Sequence, residues 1–188
     1  MLQRKARKGD KTMAIRRCFI SLAVVFIFMI GIWPLGSVPK ATAETLNFKI
    51  FNHVAKMEAV PIADTEGHSV SLSVREGVYT FDNGELAWHK LVLYADLIKG
   101  AASLETYTTI TFPDGSTITT HTKGRTEATP AGVQTATNAT GEIIHGTGRF
   151  QGIKGTVTMT SKLLPPEKGE PAGKTLGEGT LVYTLPSK

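Results

Sequence analysis

The most individual stretch of this chain is Gly146-Thr147-Gly148-Arg149-Phe150-Gln151-Gly152-Ile153-Lys154-Gly155, four glycines within ten residues around a single aromatic. Gly146, Gly148 and Gly152 have the outline of a dinucleotide-binding loop. That chemistry needs a strand before the loop and a helix after it, so that the pyrophosphate meets a helix N-terminus. Thr156-Val157-Thr158-Met159-Thr160 follows instead and alternates like a strand, so the motif implies no nucleotide cofactor. It reads as a tight connection. Its glycines allow positive φ and close backbone approach, and Phe150 is placed to plug a barrel end.

Other reactive residue types are present without a diagnostic spacing. His53, His68, His89, His121 and His145 include no pair at a familiar metal spacing and have no cysteine beside them, so no metal is expected. No Gly-x-Ser-x-Gly elbow occurs for a nucleophilic serine. Phe48, Phe51, Phe81, Phe112, Phe150, Trp88, Tyr79, Tyr94, Tyr107 and Tyr183 supply the aromatic surface. Core packing accounts for most of them. A sharper expectation is an apolar cavity lined by Trp88, Tyr94 and Tyr107, where an indole N–H or phenol O–H would orient a ligand.

These residues must be positioned by strands. From Glu44 onward the chain holds 23 threonines and no cysteine, and threonine suits a pleated, half-buried surface. Ser69-Val70-Ser71-Leu72-Ser73-Val74 alternates strictly, with its apolar residues on one face. Leu46, Phe48 and Ile50 alternate with Asn47 and Lys49; Leu181, Tyr183 and Leu185 alternate with Thr180 and Thr184. Pro113-Asp114-Gly115 and Asp82-Asn83-Gly84 carry hairpin-turn chemistry. Residues 86–98 are apolar on both parities; a long strand is favoured and a helix stays open. Seven to nine short-spaced strands with no long helical pattern predict an all-β fold, an antiparallel barrel of about eight strands. Closure would also remove exposed sheet edges.

The charge is unevenly distributed. Residues 1–43 carry eight Lys/Arg against Asp10, a net of +7, whereas residues 44–188 carry 13 Lys/Arg against 15 Asp/Glu, a net of −2. The body therefore lacks the basic surface a nucleic acid needs. The basic residues lead into a charge-free run from Cys18 to Pro39, then Ala41-Thr42-Ala43. This is the pattern of a signal peptide cut before Glu44. The expected organisation is 1–43 as signal peptide and 44–188 as a single barrel domain, exported to a periplasm or secreted. Arg16-Arg17 also resembles a twin-arginine signal. Left uncut, the apolar run is long enough to anchor the chain in a membrane.

The glycine stretch and the Thr/Val strand after it resemble the corresponding turn of the allene oxide cyclase and dirigent barrel superfamily. The leader suits an exported bacterial member. The resemblance implies an eight-stranded antiparallel barrel, often a homo-oligomer, with an apolar cavity and no cofactor. It also implies a catalytic carboxylate in the cyclases, but Glu58, Glu76, Glu85 and Glu105 are all open to that role and their flanks select none. Three readings follow: a barrel that binds a small apolar ligand or a protein partner, a cofactor-free cyclase or isomerase acting by positioning and water exclusion, or a solid structural barrel. The first is the leading expectation. A buried glutamate facing the cavity would favour the second.

Overall fold

The computed structural model describes residues 42–128, 134–170 and 173–187. Residues 1–41, with the twin-arginine and anchor readings, lie outside the described residues; the expected cleavage site between Ala43 and Glu44 falls at the start of β1. Among those described, eight antiparallel strands follow one another around a closed barrel. They are β1 (Glu44–Pro61), β2 (His68–Phe81), β3 (Leu86–Ile98), β4 (Ala101–Thr111), β5 (Thr117–Ala128), β6 (Gln134–Gly146), β7 (Lys154–Leu163) and β8 (Thr175–Thr184). β8 returns to β1, with Leu46 opposite Leu181 and Asn52 opposite Thr175, so no edge strand is left unpaired. Residues 86–98 form a strand from end to end. Their apolar character on both parities reflects an inner row facing the barrel and an outer row that is also apolar.

The turns follow their residue chemistry. At Pro113-Asp114-Gly115, Gly115 has φ +81°, Phe112 N–H donates to Ser116 O at 2.9 Å, and Ser116 N–H donates to the Asp114 carboxylate at 2.9 Å. Gly84, at φ +83°, closes the β2–β3 hairpin in the same way. Lys99 and Gly100 both have positive φ and make a two-residue β3–β4 turn, which the sequence reading did not single out.

The antiparallel order gathers the connections at two ends. The β2–β3, β4–β5 and β6–β7 connections stand at one end; the β1–β2 and β3–β4 connections and the end of β5 stand at the other. The first end is filled. Phe48, Tyr79, Phe81, Phe112, Phe150 and Tyr183 are buried there, with ring centroids 4.8 Å apart for Phe48–Tyr79, 5.4 Å for the stacked Phe81–Phe112 pair and 4.8 Å for Phe112–Phe150. Ile110, Ile118 and Leu181 are fully buried in the same cluster, each contributing about 1.5–3 kcal/mol over an exposed position.

The glycine stretch forms the lid of this plug. Gly146 ends β6, Gly148–Phe150 make one 3-10 turn, Gly152 follows with φ +78°, and Gly155 lies in β7. Gly148 has φ +58°, and a Cβ there would stand 2.3 Å from Ser116 Oγ, which accepts the Arg149 N–H at 3.1 Å. A Cβ on Gly155 would stand 2.1 Å from Val182 O, so that glycine lets β7 and β8 approach. Arg149 lies over the Phe112 and Phe150 rings, its guanidinium carbon 4.7 Å from each centroid, and pairs with Glu85 and Asp114.

Candidate functional site

The other half of the barrel is not filled. A cavity of about 280 Å³ lies there, lined from all eight strands. An eight-stranded barrel has an interior about wide enough for side chains to meet in the middle. At this end the inward positions include Ser71, Ser73, Ala95, Ala102, Gly124 and Ala139, which are too short to meet. Leu91, Leu93, Ala95 and Leu97 of β3 and Ala102 and Leu104 of β4 form an apolar wall. A bulge in β1 between Val54 and Lys56 shifts the inward parity, which brings Met57 to the lining.

The facing wall is polar. Asn52 of β1, Ser73 and Arg75 of β2 and Thr175 of β8 all line the cavity. Arg75 Nη1 donates to Thr175 Oγ1 at 2.6 Å, and Thr175 sits opposite Asn52 in the β1–β8 ladder. Asn52 is 1% exposed and Ser73 2% exposed, yet Asn52 Oδ1, Ser73 Oγ and Arg75 Nε make no hydrogen bond within the protein. Burial pushes the Arg75 guanidinium below its usual pKa, although arginine remains charged at any physiological pH. Thr106, Thr108, Thr122 and Thr126 add hydroxyls along β4 and β5; those of Thr106 and Thr122 bond to each other.

These positions correct one face assignment. Ser69–Val74 is a strand, but its apolar row points outward: Leu72 is 54% exposed, while Ser71 and Ser73 line the cavity. At the far end of β2 the same inward parity carries Tyr79 and Phe81. The apolar parity of β2 therefore flips midway, where the filled core gives way to the cavity. No period-2 signal carries that information, since alternation separates two faces without saying which is inside.

The three aromatic candidates are displaced for the same reason. Trp88 is 71% exposed, Tyr94 43% and Tyr107 49%, and none lines the cavity. Trp88 falls between the buried Ala87 and His89, so its ring stands on the outer surface. Tyr94 lies opposite Leu72 and Glu105 on that surface, and Tyr107 stacks on His121 with centroids 4.4 Å apart. The expectation that these rings line the cavity is corrected; aliphatic residues of the alternate parity do so.

The carboxylate candidates also stand outside the lining. Glu58 pairs with Lys56 at 2.7 Å, Glu76 with Lys90 at 3.4 Å, Glu85 with Arg149, and Glu105 with His121 at 2.6 Å and Lys123 at 3.7 Å. The hydrogen bonds from Lys56 and His121 hold Glu58 and Glu105 below the usual carboxylate range, the reverse of what a proton-donating acid needs. His89 is buried at the floor of the plug, edge-on to Tyr79 at 4.9 Å, and burial lowers its pKa to about 4. His68 at the cavity end bridges Asp64 and Asp96, its Nε2 lying 2.9 Å from the Asp96 carboxylate. Among the described residues no three His, Cys, Asp or Glu side chains are arranged to hold a metal ion.

A wider, shallower depression of about 790 Å³ crosses the outer face, lined by Asn47, Lys49, Thr158, Glu178 and Thr180 among others. The interior cavity is the more enclosed and the more apolar, which suits small-molecule recognition. No helix among the described residues is long and apolar enough to cross a membrane, a statement that does not extend to barrel strands.

No protein-family model and no curated protein matches the chain. Among solved structures it is similar to a pterocarpan synthase dirigent protein, at 17% identity over 82% of this chain and 95% of that one, with a TM-score of 0.46. At that identity and score the likeness carries no information on activity. The relation to allene oxide cyclases and a bacterial source stay expectations from the sequence.

Proposed function

We propose that this protein is a small-molecule binding barrel that holds one ligand of largely apolar body in the interior cavity, without a cofactor. The observation that carries this reading is the contrast inside one barrel: aromatic rings fill one half, and about 280 Å³ stands open in the other, lined by leucines and unpaired polar atoms. That volume lies just below the usual range for small-molecule sites, about 300–1,000 Å³. A solid structural barrel has no use for short inward residues at one end and unpaired polar atoms among them. The cyclase reading draws no support from the four glutamates, all of which stand outside the lining.

The test is an NMR titration of the full-length chain with a neutral apolar probe, 4-phenyl-1-butanol. Methyl shifts at Leu91, Leu104 and Met159 should saturate, with a dissociation constant around micromolar, near −8 kcal/mol. Trp88 fluorescence should stay unchanged, because that ring is outside. Unmoved methyls at every probe concentration would leave the structural barrel as the reading.

Export belongs to the same proposal. A net +6 before a charge-free run, and Ala41-Thr42-Ala43 after it, support cleavage before Glu44. Amino-terminal sequencing of the protein from its host should find Glu44 first; a membrane-bound product that retains the charge-free run Cys18–Pro39 would establish an anchor instead.

A further inference from the structure

Arg75 places a positive charge inside the cavity, and no carboxylate is among the cavity-lining residues. Its Nη1 is held by the neutral Thr175 hydroxyl at 2.6 Å, and its Nε is buried without a partner. Arg75 is part-buried, and a charge drawn away from water is costly unless it is paired; the protein makes no ion pair to Arg75 among the described residues. The Thr175 bond fixes one side of the guanidinium. Nε lies on the edge that a carboxylate takes side-on, through two parallel N–H···O bonds. Ser73, two residues along the same face of β2, adds a hydroxyl, and Asn52 an amide, neither oxygen bonded within the protein. Across from this corner stand Leu91, Leu93, Leu97 and Leu104.

We propose that the cavity takes a small organic monoanion, its carboxylate paired with Arg75 beside Ser73 and Asn52, and its apolar body laid against Leu91, Leu93, Leu97 and Leu104. A single cation among neutral polar side chains matches a single negative charge. A phosphate dianion would bring a second charge that no cation of the lining neutralises. The inference rests on the cavity being a ligand site and adds the charge class of that ligand. It requires no covalent step.

The test compares a matched pair, 4-phenylbutyrate and 4-phenyl-1-butanol, by calorimetric titration of the full-length chain, with inorganic phosphate as a competitor. The carboxylate should bind about ten-fold or more tighter than the alcohol, the range of a hydrogen bond to a charged group. Arg75→Met should remove that preference, so that the two probes bind with equal affinity. Arg75→Lys should keep part of it, having the charge without the fork. Arg75→Met should also raise the melting temperature of the unliganded protein, because it removes a part-buried charge that has no ion-pair partner among the described residues. That result shows the variant folded. Equal affinity of the wild-type chain for both probes, or a preference that survives Arg75→Met, overturns the assignment of the anion to Arg75 while leaving the cavity reading intact. Displacement by phosphate at the same concentration as phenylbutyrate overturns the carboxylate class. Binding of neither probe overturns both readings.

Discussion

The two halves of the barrel are built from the same eight strands and solve opposite problems. One half is closed by Phe48, Tyr79, Phe81, Phe112, Phe150 and Tyr183, under a glycine-rich lid tied down by Arg149. The other keeps short residues inward and leaves Asn52, Ser73 and Arg75 with polar atoms unpaired. β2 shows the change within one strand, from Tyr79 and Phe81 inside to Ser71 and Ser73 inside. A fold held only for its own stability would fill both halves. The packed plug adds stability, and on the proposed reading the open half holds polar groups that lower stability but would meet a ligand.

Four measurements would break or sharpen this contrast. The largest effect is expected in the plug, where Phe150→Ala should lower unfolding free energy by about 3–5 kcal/mol, the usual cost of emptying a packed aromatic site. Urea denaturation reads it, and a loss below about 1 kcal/mol would mean that the plug relaxes freely and the halves do not differ in kind.

The second effect is a pH dependence carried by His89. Burial lowers its pKa to about 4, below the ordinary 6.5, so between these values the unfolded chain binds a proton that the folded one refuses. Its contribution is present in full above about pH 6.5, falls as the pH drops towards 4, and amounts to about 3 kcal/mol at most. His68 runs the other way. Its bonds to Asp64 and Asp96 raise its pKa, so its contribution is present below pH 6.5 and fades as the pH rises through the folded value. Melts of wild type and His89→Leu between pH 7.5 and 4.5 separate the two, and an unchanged slope in the variant would remove His89 from the account.

The third is Gly148→Val in the lid. Positive φ and a Cβ position 2.3 Å from Ser116 Oγ predict a loss of about 1–3 kcal/mol. An unaltered melting temperature would show that the lid yields without disturbing the plug. The smallest effect belongs to the open half. Ser73→Ala should leave stability within about 0.5 kcal/mol, or raise it, because the hydroxyl removed is buried without a partner in the protein. A loss as large as that of a plug residue would place Ser73 in the packed core.

The sequence carried the barrel well. The Pro-Asp-Gly and Asn-Gly turns, the strand runs and their approximate number were all legible, because turn chemistry and period-2 alternation act over a few residues. The cavity was not legible. Trp88, Tyr94 and Tyr107 are the residue types that pockets favour, yet Trp88 and Tyr94 lie on the opposite face of β3 from Ala87, His89, Leu91 and Leu93, and Tyr107 lies on the outer face of β4. Arg75 carried little signal in sequence, since a lone arginine in a strand is ordinarily a surface residue. A polar residue on the inward parity that Tyr79 and Phe81 also occupy was the one clue in the sequence to its place.

What the sequence determined by itself was local: which segments extend, where they turn, and that glycines must flank Phe150. Those properties follow from backbone sterics and hydrogen bonding between near neighbours. The tertiary structure alone decided which face of each strand points inward, that one half of the interior stays open, and that Arg75 meets Thr175 from 100 residues away with no carboxylate in the lining. Inside and outside are defined only when β8 closes on β1, because a barrel's interior is a property of the closed ring and not of any strand in it.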